Sequence, residues 1–143
     1  MQHRFEGERT LMRIYIGEND RARHGPYAGK ALHEALLLTF RERGFAGATV
    51  LRAIAGFGAS ARPHIDRVLR LSLDLPIVVE VVETEERIQG ILPELDRLID
   101  GGLVTLERAH VILYRPAREA DEERWEQRAE GLTPAPDEAP EGG

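Results

Sequence analysis

Apolar residues recur at two different periods along this chain, and the switches between periods mark out six elements. Leu11-Met12-Arg13-Ile14-Tyr15-Ile16 reads as a strand closed by Gly17. A charged stretch, Glu18 to Pro26, precedes a helix expected to reach about Arg43. Its apolar face carries Leu32, Ala35, Leu36, Thr39 and Phe40, and Gly44 stands just past its C-terminus. Gly47 to Gly56 is a strand of β-branched and aliphatic residues that runs into Gly56-Phe57-Gly58. A polar connection of roughly residues 57–72 follows. Leu73 to Glu83 holds a third strand, with Pro76 near its start, where a missing donor is tolerated. Thr84 is placed to cap a second helix, and Glu85 and Glu86 meet its positive end. Ile88, Ile91, Leu92, Leu95 and Ile99 form its apolar stripe, and Pro93 inside that stripe predicts a kink or an irregular turn. Gly101-Gly102 ends the helix, and Leu103 to Tyr114 is a fourth strand stopped by Arg115-Pro116.

The order β-α-β-β-α-β is the split βαβ arrangement, an α+β ferredoxin-like fold with two helices on one face of a four-stranded antiparallel sheet. Two right-handed crossovers and one hairpin bring the β1–α1, β2–β3 and α2–β4 connections to one end of the sheet. Those segments hold most of the glycine, charge and loop length, so function is expected at that end. The connections at the other end, Gly44–Gly47 and Glu83–Thr84, are short.

Charge separates the body from its flanks. The segment from Pro116 onward has nine acidic residues against three arginines, which accounts for the whole net charge of −6. The body is balanced and offers no broad basic surface, which argues against a nucleic-acid partner. Residues 1–9 are polar and expected to be a flexible N-terminus. Residues 10–115 form the domain, and 116–143 an acidic, Pro- and Gly-rich tail, largely disordered. No apolar run is long enough to span a bilayer and no signal segment opens the chain, so a cytoplasmic protein without membrane insertion is expected. With no cysteine, thiolate chemistry is absent.

Four motifs then match a known pattern in order and spacing. They are Gly17-Glu18-Asn19-Asp20, Gly47-Ala48-Thr49-Val50-Leu51-Arg52, Ala55-Gly56-Phe57-Gly58-Ala59-Ser60 and Leu71-Ser72-Leu73-Asp74-Leu75-Pro76-Ile77-Val78-Val79. Over about residues 10–114 the chain resembles domain-of-unknown-function family 190, with Ala53 where that family has glycine. The family in turn resembles the PII signal-transduction proteins, ferredoxin-like homotrimers that bind ATP, ADP or AMP in the clefts between subunits. The resemblance implies that Thr49 opens a base-binding strand and that Gly56, Phe57 and Gly58 form the stem of a flexible, partner-contacting loop. Ser60 takes the place of a ligand-sensing glutamine, which departs from a 2-oxoglutarate response. Gly101 and Gly102 fall where PII proteins have a phosphate-binding glycine loop. The lysine that follows there is replaced by Leu103-Val104. Arg115 and Arg118 are candidates for the basic residues after the last strand. Without that lysine, AMP, ADP, a cyclic nucleotide or no nucleotide fits better than ATP. Members of the family are often encoded beside fluoride-channel proteins, which implies a membrane transporter as partner.

The residues leave alternatives open. Arg62, His64, Arg67 and Arg70 make the long connection basic, either as an anion or partner patch or as a solvated loop. Glu18, Asn19, Asp20 and His24 offer metal-ligand atoms without the spacing of a closed site, so no metal is assigned. His33 reads as a partly exposed helix residue, and His110 as a hydrogen-bonded strand residue. No nucleophile elbow, zinc-peptidase pair, Walker lysine or dinucleotide fingerprint is present, and the chain is read as a non-enzyme. The leading expectation is a regulatory homotrimer that binds a small anionic effector and controls a partner. The alternatives are a metal- or ion-responsive trimer like the CutA proteins, which share the architecture, and a ligand-free structural subunit.

Overall fold

Strict alternation sets the faces of the sheet. From Pro76 to Glu83 every second residue, Ile77, Val79, Val81 and Glu83, is buried, and the residues between them are half-exposed. The computed structural model describes residues 7–58 and 74–115. Its elements are β1 (Gly7–Gly17), α1 (Leu32–Glu42), β2 (Thr49–Arg52), β3 (Pro76–Glu83), α2 (Glu85–Leu98) and β4 (Leu103–Val111). Gly7–Val111 is one unit, and residues 1–6 and 112–143 make a second, of which only Ile112–Arg115 are described.

The four strands form one antiparallel sheet in the order β2-β3-β1-β4. The fold is ferredoxin-like, as the order of elements predicts. Met12, Ile14 and Ile16 pair directly with Val81, Val79 and Ile77, so one face is continuously apolar. Against it lie Leu32, Ala35, Leu36 and Phe40 of α1 and Ile88, Ile91, Leu95 and Leu98 of α2. Burying each large side chain of this set contributes about 1.5–3 kcal/mol.

Element ends differ from the sequence expectation where long-range pairing decides them. Gly7, Glu8 and Arg9 are not a frayed terminus. They pair with Val111, His110 and Ala109 and extend β1 by strand partners that polarity does not announce. β4 ends at Val111, opposite Gly7, and not at Tyr114. β2 covers four residues of the expected Gly47–Gly56 strand. Beyond Arg52 only the Ala53 N–H continues the ladder, donating to the Pro76 carbonyl at 2.9 Å; Pro76 has no N–H to return. α2 runs through Pro93 without an irregular turn, because Ile91 and Leu95 on either side are anchored in the core. Its start matches expectation: the Thr84 hydroxyl accepts from the Arg87 N–H.

Candidate functional site

The register brings the loop-bearing ends of all four strands together. Gly17 pairs with Pro76, Arg52 with Ile77, and Tyr15 with Leu103. The β1–α1, β2–β3 and α2–β4 connections therefore leave from one rim, as the order of elements predicts, although the last, residues 99–102, is shorter than the α1–β2 connection, residues 43–48, at the other end.

The β1–α1 connection is more ordered than a charged loop. Ala22 is buried in the core, and its N–H donates to the Lys30 carbonyl at 2.9 Å. The Gly29 N–H donates back to the Ala22 carbonyl at 2.7 Å, and the Leu32 N–H reaches the Asp20 carbonyl at 2.8 Å. Polar residues then tie this loop to the strand ends. The Gly17 N–H donates to the Asp20 carboxylate (2.9 Å) and the Asn19 N–H to the Asp74 carboxylate (3.0 Å). Glu18 donates its N–H to the Leu75 carbonyl and pairs its carboxylate with Arg52 at 2.9 Å. Three of the residues with metal-ligand atoms thus help to close the loop on β2 and β3. His24 lies apart, in a shallow depression with Asp96, Arg97 and Asp100. Among the described residues no three His, Asp or Glu side chains are grouped to hold a metal ion.

Three glycines sit at the rim for steric reasons, and a Cβ on the first, Gly17, would lie 2.9 Å from the Asp74 carboxylate. A Cβ on Gly102 would lie 2.6 Å from the Tyr15 carbonyl oxygen, and its φ of +155° is one that side chains rarely adopt. Gly56 packs over Pro76, where a Cβ would meet Cγ at 3.0 Å. Gly101 and Gly58 face open space. Gly102 therefore has a packing requirement of its own, whereas Gly101 offers an unobstructed backbone.

The other predicted site residues divide by position. Thr49 is exposed at the inner end of β2, opposite Glu80, on the sheet face that carries no helix. Phe57 leaves the rim 76% exposed, close in sequence to Ile54, which is 90% exposed. Arg115 belongs to the second unit. Ser60, Arg62, His64, Arg67 and Arg70 lie outside the described residues. Of the set, Gly56, Phe57 and Gly58 share the rim with Gly101 and Gly102. His33 is half-buried on α1, and His110 of β4 approaches the Glu8 carboxylate at 3.3 Å.

The helix-free face was not anticipated as a feature. Leu51, Val78, Tyr15 and Leu103 form an apolar row across all four strands next to the rim. In the next row Arg13 bridges Glu80 (3.0 Å) and Glu107 (2.8 Å), with Thr49 and Thr105 beyond. Its hydrogen bond to Glu80, then the charge of Glu107, raises the Arg13 guanidinium pKa above its ordinary value. The signal for this face was the odd-numbered residues of Leu11–Ile16, whose partners only the register reveals. Arg52 and Asp74, also missed as loop anchors, stood in two of the four motifs.

The model of a family described as "Uncharacterized ACR, COG1993", domain-of-unknown-function family 190, matches residues 9–111. The chain belongs to this family. A UPF0166 protein of Aquifex aeolicus is 37% identical over 105 residues, covering 73% of this chain and 94% of the relative. A UPF0166 protein of Methanocaldococcus jannaschii is 31% identical over 102 residues, covering 71% and 89%. A second from Aquifex aeolicus is 34% identical over 102 residues, covering 71% and 95%. The family match spans every element of the sheet and both helices. Among the described residues, no helix is long and apolar enough to cross a membrane.

Proposed function

We propose that the chain is a PII-like regulatory subunit. It assembles as a homotrimer, binds a small anionic effector, best an adenine nucleotide such as AMP or ADP, and works through binding and not catalysis. The observation that carries this reading is the meeting of the Gly56–Gly58 stem, the Gly17–Asp20 loop and Gly101-Gly102 at one rim. Backbone N–H groups left open by glycine suit a phosphate. The strand order adds a constraint. The two glycine segments extend from β2 and β4, the two edge strands of the sheet. Edge strands are open to a neighbouring chain, and in the proposed trimer the effector would lie between subunits. The exposed row Leu51, Tyr15 and Leu103 supports the same association, because apolar surface of this kind marks contact sites.

Effector binding would favour one state of the 57–72 connection and so alter its contact with a partner in the cytoplasm. The partner implied by the family resemblance is a membrane ion transporter, a fluoride channel among them. Isothermal titration of the full chain with AMP, ADP, ATP and cyclic nucleotides tests the ligand. Saturable heat with one nucleotide per chain is expected, and absence of heat with all of them removes the nucleotide. Light scattering tests the assembly: a particle of three 16.0 kDa chains is expected, and a monomer rules the shared site out.

A further inference from the structure

α1 carries a second stripe, on the side away from the core. At 100° per residue Glu34, Leu37, Leu38 and Arg41 fall within one narrow sector, opposite Leu32, Ala35, Leu36, Thr39 and Phe40. The four line a groove of about 560 Å³ whose wall is completed by Phe45 and Ala48 after the helix. Leu37, Leu38, Phe45 and Ala48 are only half-buried, so the chain covers its own core with this helix and leaves a further apolar strip uncovered. Glu34 and Arg41 border the strip at its two ends. Neither has an ion-pair partner among the described residues, although Arg13, Arg23, Arg43, Arg52 and Arg87 all do.

We infer that this stripe pairs with the same stripe of a second copy of the chain, two α1 helices packing antiparallel about a two-fold axis. The charge pattern selects that occupant. Glu34 and Arg41 are seven residues apart, about 10 Å along the axis, with Leu37 and Leu38 at the midpoint. Reversing one helix against another places each Glu34 against the Arg41 of the other copy while the leucines meet in the centre. A two-fold contact must be self-complementary, and this stripe is. Antiparallel helices also set their dipoles head to tail, with Glu34 in the first turn and Arg41 in the last of each. The contact is one 11-residue helix from each copy, below the size of a standard stable interface. Association is therefore expected at micromolar concentration, on the order of 10–100 μM.

The experiment is sedimentation of the full chain across that concentration range. The base particle, whatever its size at low concentration, is expected to double in mass. E34R sets two guanidinium groups against each other on both sides of the axis and is expected to abolish the doubling. R41E does the same with two carboxylates. The double variant E34R/R41E restores opposite charges and is expected to double like the parent. Both positions are exposed and without an ion-pair partner among the described residues, so the fold should persist at low concentration, each reversal lowering the melting temperature by only a few degrees through the helix dipole. A mass that stays constant with concentration overturns the inference. So does a double variant that associates no better than the single ones. Because the doubling is read against the base particle, its failure leaves the trimer reading untouched.

Discussion

The two ends of this sheet are built from the same residue types and held in opposite ways. At the end away from the rim, Glu83 is buried and its carboxylate accepts from the Ala46 N–H (2.7 Å) and the Thr84 N–H (3.2 Å). Arg87 reaches over to donate to the Gly44 carbonyl, tying α2 to the turn after α1. At the rim the corresponding carboxylate, Glu18, pairs with an Arg52 that is more than half exposed. Glu83 is itself buried whereas Arg52 is not, so water competes less for the first set of bonds than for the second and the far end is the more firmly held. The rim has one rigid corner, where Gly102 lies against the Tyr15 carbonyl.

That contrast can be broken at graded cost. Gly102→Ala attacks the rigid corner and is expected to cost about 2–4 kcal/mol, through clash and backbone strain. Gly101→Ala next to it should stay within about 0.5 kcal/mol; equal losses in urea unfolding would refute the packing role of Gly102. Glu83→Ala leaves two N–H groups at a closed end without their acceptor and should cost about 2–3 kcal/mol. Glu83→Gln should cost less, because an amide oxygen still accepts one bond. A loss under about 0.5 kcal/mol for the alanine variant would show that end to be as adjustable as the rim. Thr84→Ala removes a cap from α2 and should lower stability by about 1 kcal/mol. Glu18→Ala should cost least, at most about 1 kcal/mol and less at high salt. Amide exchange should nonetheless quicken at Glu18 and Asn19, and unchanged exchange there would show that Arg52 does not hold the loop.

How much of this is legible in the sequence depends on the range of the interaction. The α2 stripe from Ile88 to Leu95 and the Thr84 cap are local, and the structure has both where the pattern puts them, although Leu98 and not Ile99 is the last buried residue of the stripe. The same holds for the gathering of the β1–α1, β2–β3 and α2–β4 connections at one end, because it follows from the order of elements alone. In β3 the residue types do not alternate, and only the pairing shows that Val78 and Val82 face away from the helices while Glu83 is buried. Boundaries set by partners are not legible. Gly7–Arg9 form strand only because Val111, His110 and Ala109 lie opposite, and β2 is cut short by a proline far along the chain. At the candidate site, Gly56, Phe57 and Gly102 stand out as residue types. What closes the loop beside them, Arg52 on Glu18 and Asp74 on the Asn19 N–H, does not, because single charged residues carry no label of their partner. Ala22 is equally silent, since one small residue among charges looks like any other until the core accepts it.

The departure of the two glycine segments from the two edge strands has a thermodynamic consequence for the proposed effector. A ligand held by parts of two chains is also a cross-link between them, so its affinity and the cohesion of the particle are linked quantities. Diluting the protein would weaken apparent binding, and saturating ligand would shift dissociation of the particle to lower concentration by the same free energy.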